Sequence, residues 1–243
     1  MTSATTVRNI AFVIFAIFVV KTAVYFAPDA SLSRTYNIYG TYIAPNVVTT
    51  ILFDFRGYDT LGECVILVSG VLAVSMLFGR GLLTGDSHAG KLPELKSTPI
   101  LAPFSKAFFP LLVALGLYLT LGGHITPGGG FQGGSIIAAG IFMAVVLAGR
   151  KAINFDHETL VKMESLGLSI YLILGLAGWA MAGFFLYNIG ADTMDLVGPS
   201  ATYLNYPDNY QAGIIPYLNI AVLIKVSAGL TTALLILMEA KKK

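Results

Sequence analysis

Six stretches of this sequence, 10–26, 61–78, 104–121, 132–148, 166–188 and 214–238, each run 17 to 25 residues with no more than one charged side chain. A bilayer core about 30 Å thick takes about 20 helical residues to cross, and in lipid a single segment meets its own backbone hydrogen bonds only as a helix. Composition agrees: charged residues make up 12% of the 243, half of the roughly 25% in an ordinary soluble domain. The expected fold class is an all-α membrane protein with about six transmembrane helices.

Lysine and arginine fix the expected orientation, because they accumulate on the cytoplasmic side of short loops. Of the fifteen, eleven fall on one side: Arg8, Arg80, Lys91, Lys96, Lys106, Arg150, Lys151, Lys162 and Lys241 to Lys243. Arg34 and Arg56 fall on the other, while Lys21 and Lys225 lie inside spans. Both termini are therefore expected in the cytoplasm. Arg8 followed by an apolar run has the shape of a signal peptide, but Lys21 interrupts it and no A-x-A pattern follows, so it reads as a retained first span. A net charge of +2 gives no reason to expect nucleic acid. Cys64 is the single cysteine, which rules out an internal disulfide and leaves too few thiolates for an iron–sulfur cluster.

The polar loop 79–103 is the natural seam between a two-span segment, 1–103, and a four-span domain, 104–243. The halves show no repeat, which argues against a self-sufficient carrier built from inverted repeats. Within 42–55, Val47, Val48, Ile51, Leu52 and Phe55 recur at helical spacing, with Asn46, Thr49, Thr50 and Asp54 between them. That pattern predicts a short interfacial helix with a polar face, ending at Gly57.

Residues 121–135, LGGHITPGGGFQGGS, contain seven glycines. Gly128, Gly130 and Gly133 satisfy G-x-G-x-x-G, and 128–135 nearly satisfies the P-loop pattern. Gly134, however, stands where the phosphate-binding lysine belongs, and both patterns need a preceding strand rather than a membrane helix. No nucleotide is expected. Pro127 and the glycines from Gly128 to Gly130 suit a tight turn. Beyond it, Gly133, Gly134, Ser135, Ala138 and Ala139 form a small-residue face for close helix packing. A sharper reading has the turn and its polar neighbours His124, Thr126 and Gln132 lining a water-filled path.

The run GGHITPGGGFQGG, with Pro127, Gly128, Gly129, Gly130, Phe131, Gly133 and Gly134, resembles the signature of the B subunit of Mrp-type multisubunit sodium/proton antiporters (MnhB/MrpB-like). It is equally similar to the counterpart subunit of membrane-bound hydrogenases. The run ILFDFRGYDTLGE, 51–63, resembles the small E-type (MbhE-like) hydrogenase subunit, which corresponds to part of the C-terminal extension of the large antiporter subunit. The resemblance implies a non-catalytic subunit in the cytoplasmic membrane, beside a large antiporter-like subunit and a small three-span C-type subunit. It also implies that Glu63, the acid of Thr-Leu-Gly-Glu, belongs to the ion route.

Lys225, near the middle of its span, costs about 3 kcal/mol to insert and must face protein or water. It is expected either to pair with a carboxylate or carbonyl of a neighbouring helix or to take part in a proton path. Thr60 and Glu63 have capping-box spacing; alternatively, Glu63 and Asp59 one turn earlier present oxygen ligands to Na+, a hard cation. Lys21 is a candidate partner for Glu63. His124 can change charge near neutral pH. Glu164, beside Lys162, reads as a solvated charge at the inner interface. No resident cofactor is expected, at most transient Na+. Two alternatives stay open: a purely structural spacer, or the same module inside a redox-driven complex.

Overall fold

The structure, a computed structural model, describes residues 13, 14, 16, 17, 20, 21, 30–78, 101–148, 157–191 and 212–240. Its backbone divides into two units, 1–38 and 39–243. The few described residues of 13–21 are helical, but most of the first expected span, 10–26, lies outside the described residues. So do loop 79–100 and the outer-loop acids Asp192, Asp195 and Asp208.

The described helices are α1 (Ala30–Ile43), α2 (Val47–Thr50), a π-helical turn (Ile51–Phe55), α3 (Gly57–Phe78), α4 (Leu101–Leu121), α5 (Gly130–Ala148), α6 (His157–Ala182) and α7 (Ile215–Ala240). No strand occurs among the described residues. Among the described residues, five segments are long and apolar enough to cross a membrane: Gly57–Phe78, Pro103–Leu121, Gly130–Ala148, His157–Ala182 and Ile215–Met238. The fifth expected span, 166–188, is corrected. The helix begins nine residues earlier, because Glu158 and Lys162 form an exposed i,i+4 ion pair that helical geometry accommodates. It ends at Ala182, just before Gly183 at φ +79°.

Helix α7 is the hub. It packs against α3, α4, α5 and α6, and 67% of its most apolar window is buried, against 17–39% for the other four spans. One apolar cluster joins Ile43, Phe53 and Cys64 to Tyr171, Leu218, Ala221, Val222 and Val226, so the segment 39–78 shares its core with α6 and α7. A second cluster, Ile141, Ala144, Val145, Leu160 and Leu235, lies between α5, α6 and α7.

Helix α5 is wedged between α4 and α7 through its glycines. A β-carbon on Gly133 would stand 2.1 Å from Thr120 Oγ1 of α4, and one on Gly130 would stand 2.1 Å from the Asn219 carbonyl of α7. Of the two small-residue pairs in the sequence, Gly134 and Ala138 are buried in this contact, whereas Ser135 is half-buried and Ala139 exposed. The seam therefore follows one pair and not the other.

The segment ahead of α3 reverses the expected sidedness. Thr49 and Thr50 are buried at 2% and 0% exposure, while Val48 is 63% exposed. The polar residues face the protein because they have carbonyls to bond there, and the valine is left on the outer surface. The capping-box reading is corrected too. Helix α3 starts at Gly57, so Thr60 already lies within its first turn, and its hydroxyl donates to the Leu52 carbonyl at 2.7 Å.

Candidate functional site

Lys225 has no exposed surface. It sits midway along α7, and its Nζ lies 3.7 Å from Oε1 of Glu164 on α6. That is an ion pair just beyond hydrogen-bond reach, and neither atom has a hydrogen-bond partner among the described residues. Two glycines make room for it. A β-carbon on Gly167 would fall 2.6 Å from the Lys225 backbone nitrogen, and one on Gly229 would fall 2.8 Å from Glu164 Oε1. Cys64 of α3 is within electrostatic reach of the ammonium. Glu164 itself is only 8% exposed, so its reading as a solvated charge is overturned. The early start of α6 carries it inside the bundle and turns it toward α7.

The glycine turn between α4 and α5 is held from both sides. The Asn46 side-chain amide donates to the carbonyls of Gly123 (2.7 Å) and Thr126 (2.9 Å), and the Thr49 hydroxyl donates to Gly123 (2.7 Å). The Asn46 backbone N–H reaches the His124 carbonyl at 3.1 Å. From α7, the Asn219 Oδ1 accepts the Gly130 N–H at 2.8 Å, at the start of α5. These bonds satisfy carbonyls and an amide that irregular backbone would otherwise leave bare. His124 is buried within the turn, Thr126 is half-buried with its hydroxyl on the Gly122 carbonyl, and Gln132 is exposed on the first turn of α5. Pro127 is exposed, Gly128 and Phe131 are half-buried, and Gly129 takes φ +154° beside the Gln132 amide. His124 lies at the opposite end of α4 and α5 from the described end of Ala148 and is not in the Lys225–Glu164 contact.

The acids of the first segment separate. Asp59 is exposed and ion-paired with Arg56. Glu63 is exposed on α3, with the exposed Ile66 one turn along on the same face. Lys21 belongs to the first unit, where it is exposed. Among the described residues no group of three His, Cys, Asp or Glu side chains could hold a metal ion.

Sequence reasoning passed over a further acid. Asp54, in the π-helical turn, is pushed up to about 6 by burial, and the Asn188 amide facing it lowers it only in part. Asn188 is itself fixed by accepting the Ile214 N–H at 2.9 Å. The only signal in the sequence is an acid between Phe53 and Phe55. Because the folded value is raised from 3.8, the unfolded chain ionises first as pH rises. Stability from this group is full below about pH 4, declines to about pH 6 and is then level, a loss of up to about 3 kcal/mol. Asp54→Asn is expected to remove that decline, which thermal unfolding of the assembled protein between pH 4 and 8 would measure.

Residues 100–232 match the family described as a domain related to the MnhB subunit of Na+/H+ antiporter. The chain belongs to this MnhB-related family. Residues 4–88 match a second family, described as the E subunit of MBH, so both resemblances read from the sequence are confirmed. An uncharacterized protein of Methanocaldococcus jannaschii is 42% identical over 209 residues, 81% of this chain and 78% of that one. A probable A/B subunit of a K(+)/H(+) antiporter of Rhizobium meliloti is 30% identical over 166 residues, 58% of this chain but only 16% of that much longer protein. Among solved structures, a chain of the archaeal membrane-bound sulfane sulfur reductase matches the fold with TM-score 0.69 at 22% identity, covering 96% of this chain and 97% of that one. The Mrp complex from Dietzia sp. matches with TM-score 0.65 at 25% identity, covering 99% of this chain and 26% of that one.

In MnhB-related terms, the glycine turn, Lys225 and Glu164 all lie in the matched domain. Asn46, Thr49, Asp54, Asp59 and Glu63 lie in the part matched to the MBH family. The Asn46 and Thr49 bonds, together with the Tyr171 hydroxyl donating to the Gly57 carbonyl at 2.9 Å, tie residues 39–78 to the MnhB-related part within the unit 39–243.

Proposed function

We propose that this chain is a multi-pass subunit of a multisubunit cation/proton antiporter module of Mrp type, non-catalytic alone, that lines part of the sodium route and joins neighbouring subunits. Both termini face the cytoplasm in this reading, in accord with the lysine and arginine distribution. The observation that carries it is Glu63. A carboxylate six residues into a spanning helix, about 9 Å from its start, is left exposed, with the bare side chain of Ile66 one turn along on the same face. Lipid cannot solvate a charge there; a hydrated path or a polar face on a neighbouring subunit can. The small C-type and large antiporter-like subunits are the partners that the family resemblance suggests for that face. Asp59 stands one turn nearer the surface and, with Arg56, sets the charge at its mouth.

The test is sodium- and potassium-driven proton exchange in vesicles carrying the intact complex, comparing wild type with Glu63→Gln at equal assembly. Exchange is expected to fall by about tenfold or more, a barrier raised by some 1.4 kcal/mol or more. Exchange at the wild-type rate would leave Glu63 as a packing residue and remove the main support for the route. A second reading places the same subunit in a redox-driven respiratory complex. It is favoured by the near-equal mutual coverage with the sulfane sulfur reductase chain. The subunits that co-purify with this chain decide between the two hosts.

A further inference from the structure

We propose that Lys225 and Glu164 form an intramembrane proton-exchange site, in which a single proton passes between the lysine Nζ and the glutamate Oε1. The inference rests on the antiporter-module reading above and adds to it a residue pair and a step. A buried ion pair that serves only to hold helices together is expected to be close and to have its remaining polar atoms hydrogen-bonded. Here the atoms are 3.7 Å apart, and neither Nζ nor Oε1 has a hydrogen-bond partner among the described residues. The space is nevertheless built, with Gly167 under the lysine backbone and Gly229 under the carboxylate.

In such a place the ion pair and the neutral pair are close alternatives, because proton transfer removes both charges from a low-dielectric interior at once. The step balances simply. An N–H bond of Lys225 breaks, an O–H bond forms on Glu164, and no net charge moves. The carboxyl then releases its proton to water at the end of the bundle where α6 begins. There the Glu164 side chain keeps 11% of its surface exposed, two residues past Lys162 of the exposed Glu158–Lys162 pair. The neutral amine takes its next proton from water on the other side.

The charged and titratable groups around the pair are few. Lys225 faces Glu164 from α6 and Cys64 from α3; α5 has no charged residue, and α4 has only the exposed Lys106. Asn219 and Thr231, six residues to either side of Lys225, lie about 120° away around the helix, and Asn219 Oδ1 accepts the Gly130 N–H.

Arginine keeps the positive charge but does not give up its proton in proteins, so Lys225→Arg separates the two roles. The intact complex in vesicles is assayed as wild type, as Lys225→Arg and as the double variant Glu164→Gln/Lys225→Met, which removes both charges together. Proton exchange is expected to fall at least about tenfold in each at normal assembly. Infrared difference spectra are expected to show a carboxyl band that grows as pH falls in wild type and is missing from the double variant. Wild-type exchange in Lys225→Arg, or in the double variant should arginine prevent assembly, would overturn the proposal. So would spectra in which no titrating carboxyl distinguishes wild type from the double variant. If the wild-type complex itself exchanges no cation for protons, the antiporter reading falls, and the infrared band alone decides whether the pair holds a proton.

Discussion

Gly130→Ala is expected to prevent stable folding of the bundle. The added methyl carbon would stand 2.1 Å from the Asn219 carbonyl oxygen and 2.9 Å from the Val222 β-carbon. Both belong to α7, the helix on which every other span packs, and neither is the end of a flexible side chain that can swing aside. To accept the methyl, α5 would have to back away from α7. That shift would break the Gly130 N–H bond to Asn219 and open the Gly134–Val226 contact one turn along. Overpacking of this kind costs about 3 kcal/mol or more, a large part of the 5–15 kcal/mol that holds a typical protein folded. The matched control is Gly70→Ala, on an exposed face of α3 where nothing lies within 4 Å of the new carbon. There alanine should be neutral or slightly stabilising, since glycine costs about 0.5–1 kcal/mol within a helix. Yield and thermal midpoint of the purified complex compare the two directly. Equal midpoints for the two variants would show that the seam is looser than the contact distances state.

The second large effect is expected at Glu164. Replacing it with leucine leaves the Lys225 ammonium fully buried without its counter-charge, and breaking a buried pair from one side costs about 3–5 kcal/mol. Removing both charges, as in Glu164→Leu/Lys225→Met, is expected to recover most of that loss. Two apolar side chains need no desolvation, and each fits roughly the volume it replaces. The non-additivity in this double-mutant cycle measures the coupling. If Glu164→Leu alone left the thermal midpoint unchanged, the lysine would have another anchor, and the pair would not be what secures α6 to α7. The same cycle read as stability and, separately, as exchange divides what the pair does for the fold from what it does for protons.

Much of the architecture was legible because membrane spans announce themselves by length and hydropathy, which are local properties. Five of the expected spans have matching helices among the described residues, and the glycine run marks a turn and the start of α5. What misled was also local. His157, Glu158 and Lys162 made the start of α6 look too polar for a span. Helical spacing alone does not say that Glu158 and Lys162 satisfy each other outside while Glu164, on another face, turns inward. Likewise, Thr49 and Thr50 read as a solvent face because their hydroxyls are polar. Thr49 turns inward to a bare carbonyl far along the chain, at Gly123, and Thr50 to the carbonyls of Gly40 and Asn46.

The sequence by itself determined the kind of solvent this protein needs, the rough limits of the spanning helices within the described residues, the family, and the need for a partner at Lys225; helix α1, Ala30–Ile43, went unread in it. Each follows from residue type and spacing, or from a charge that lipid does not accept. Only the tertiary structure decided which partner Lys225 takes, that Asn46 and Asn219 hold the glycine turn from opposite sides, and that Glu63 is left facing outward. Those outcomes depend on how the helices are rotated about their axes. Rotation is set by close contacts such as Gly167 on Lys225 and Gly130 on Asn219, between residues 58 and 89 positions apart in the chain.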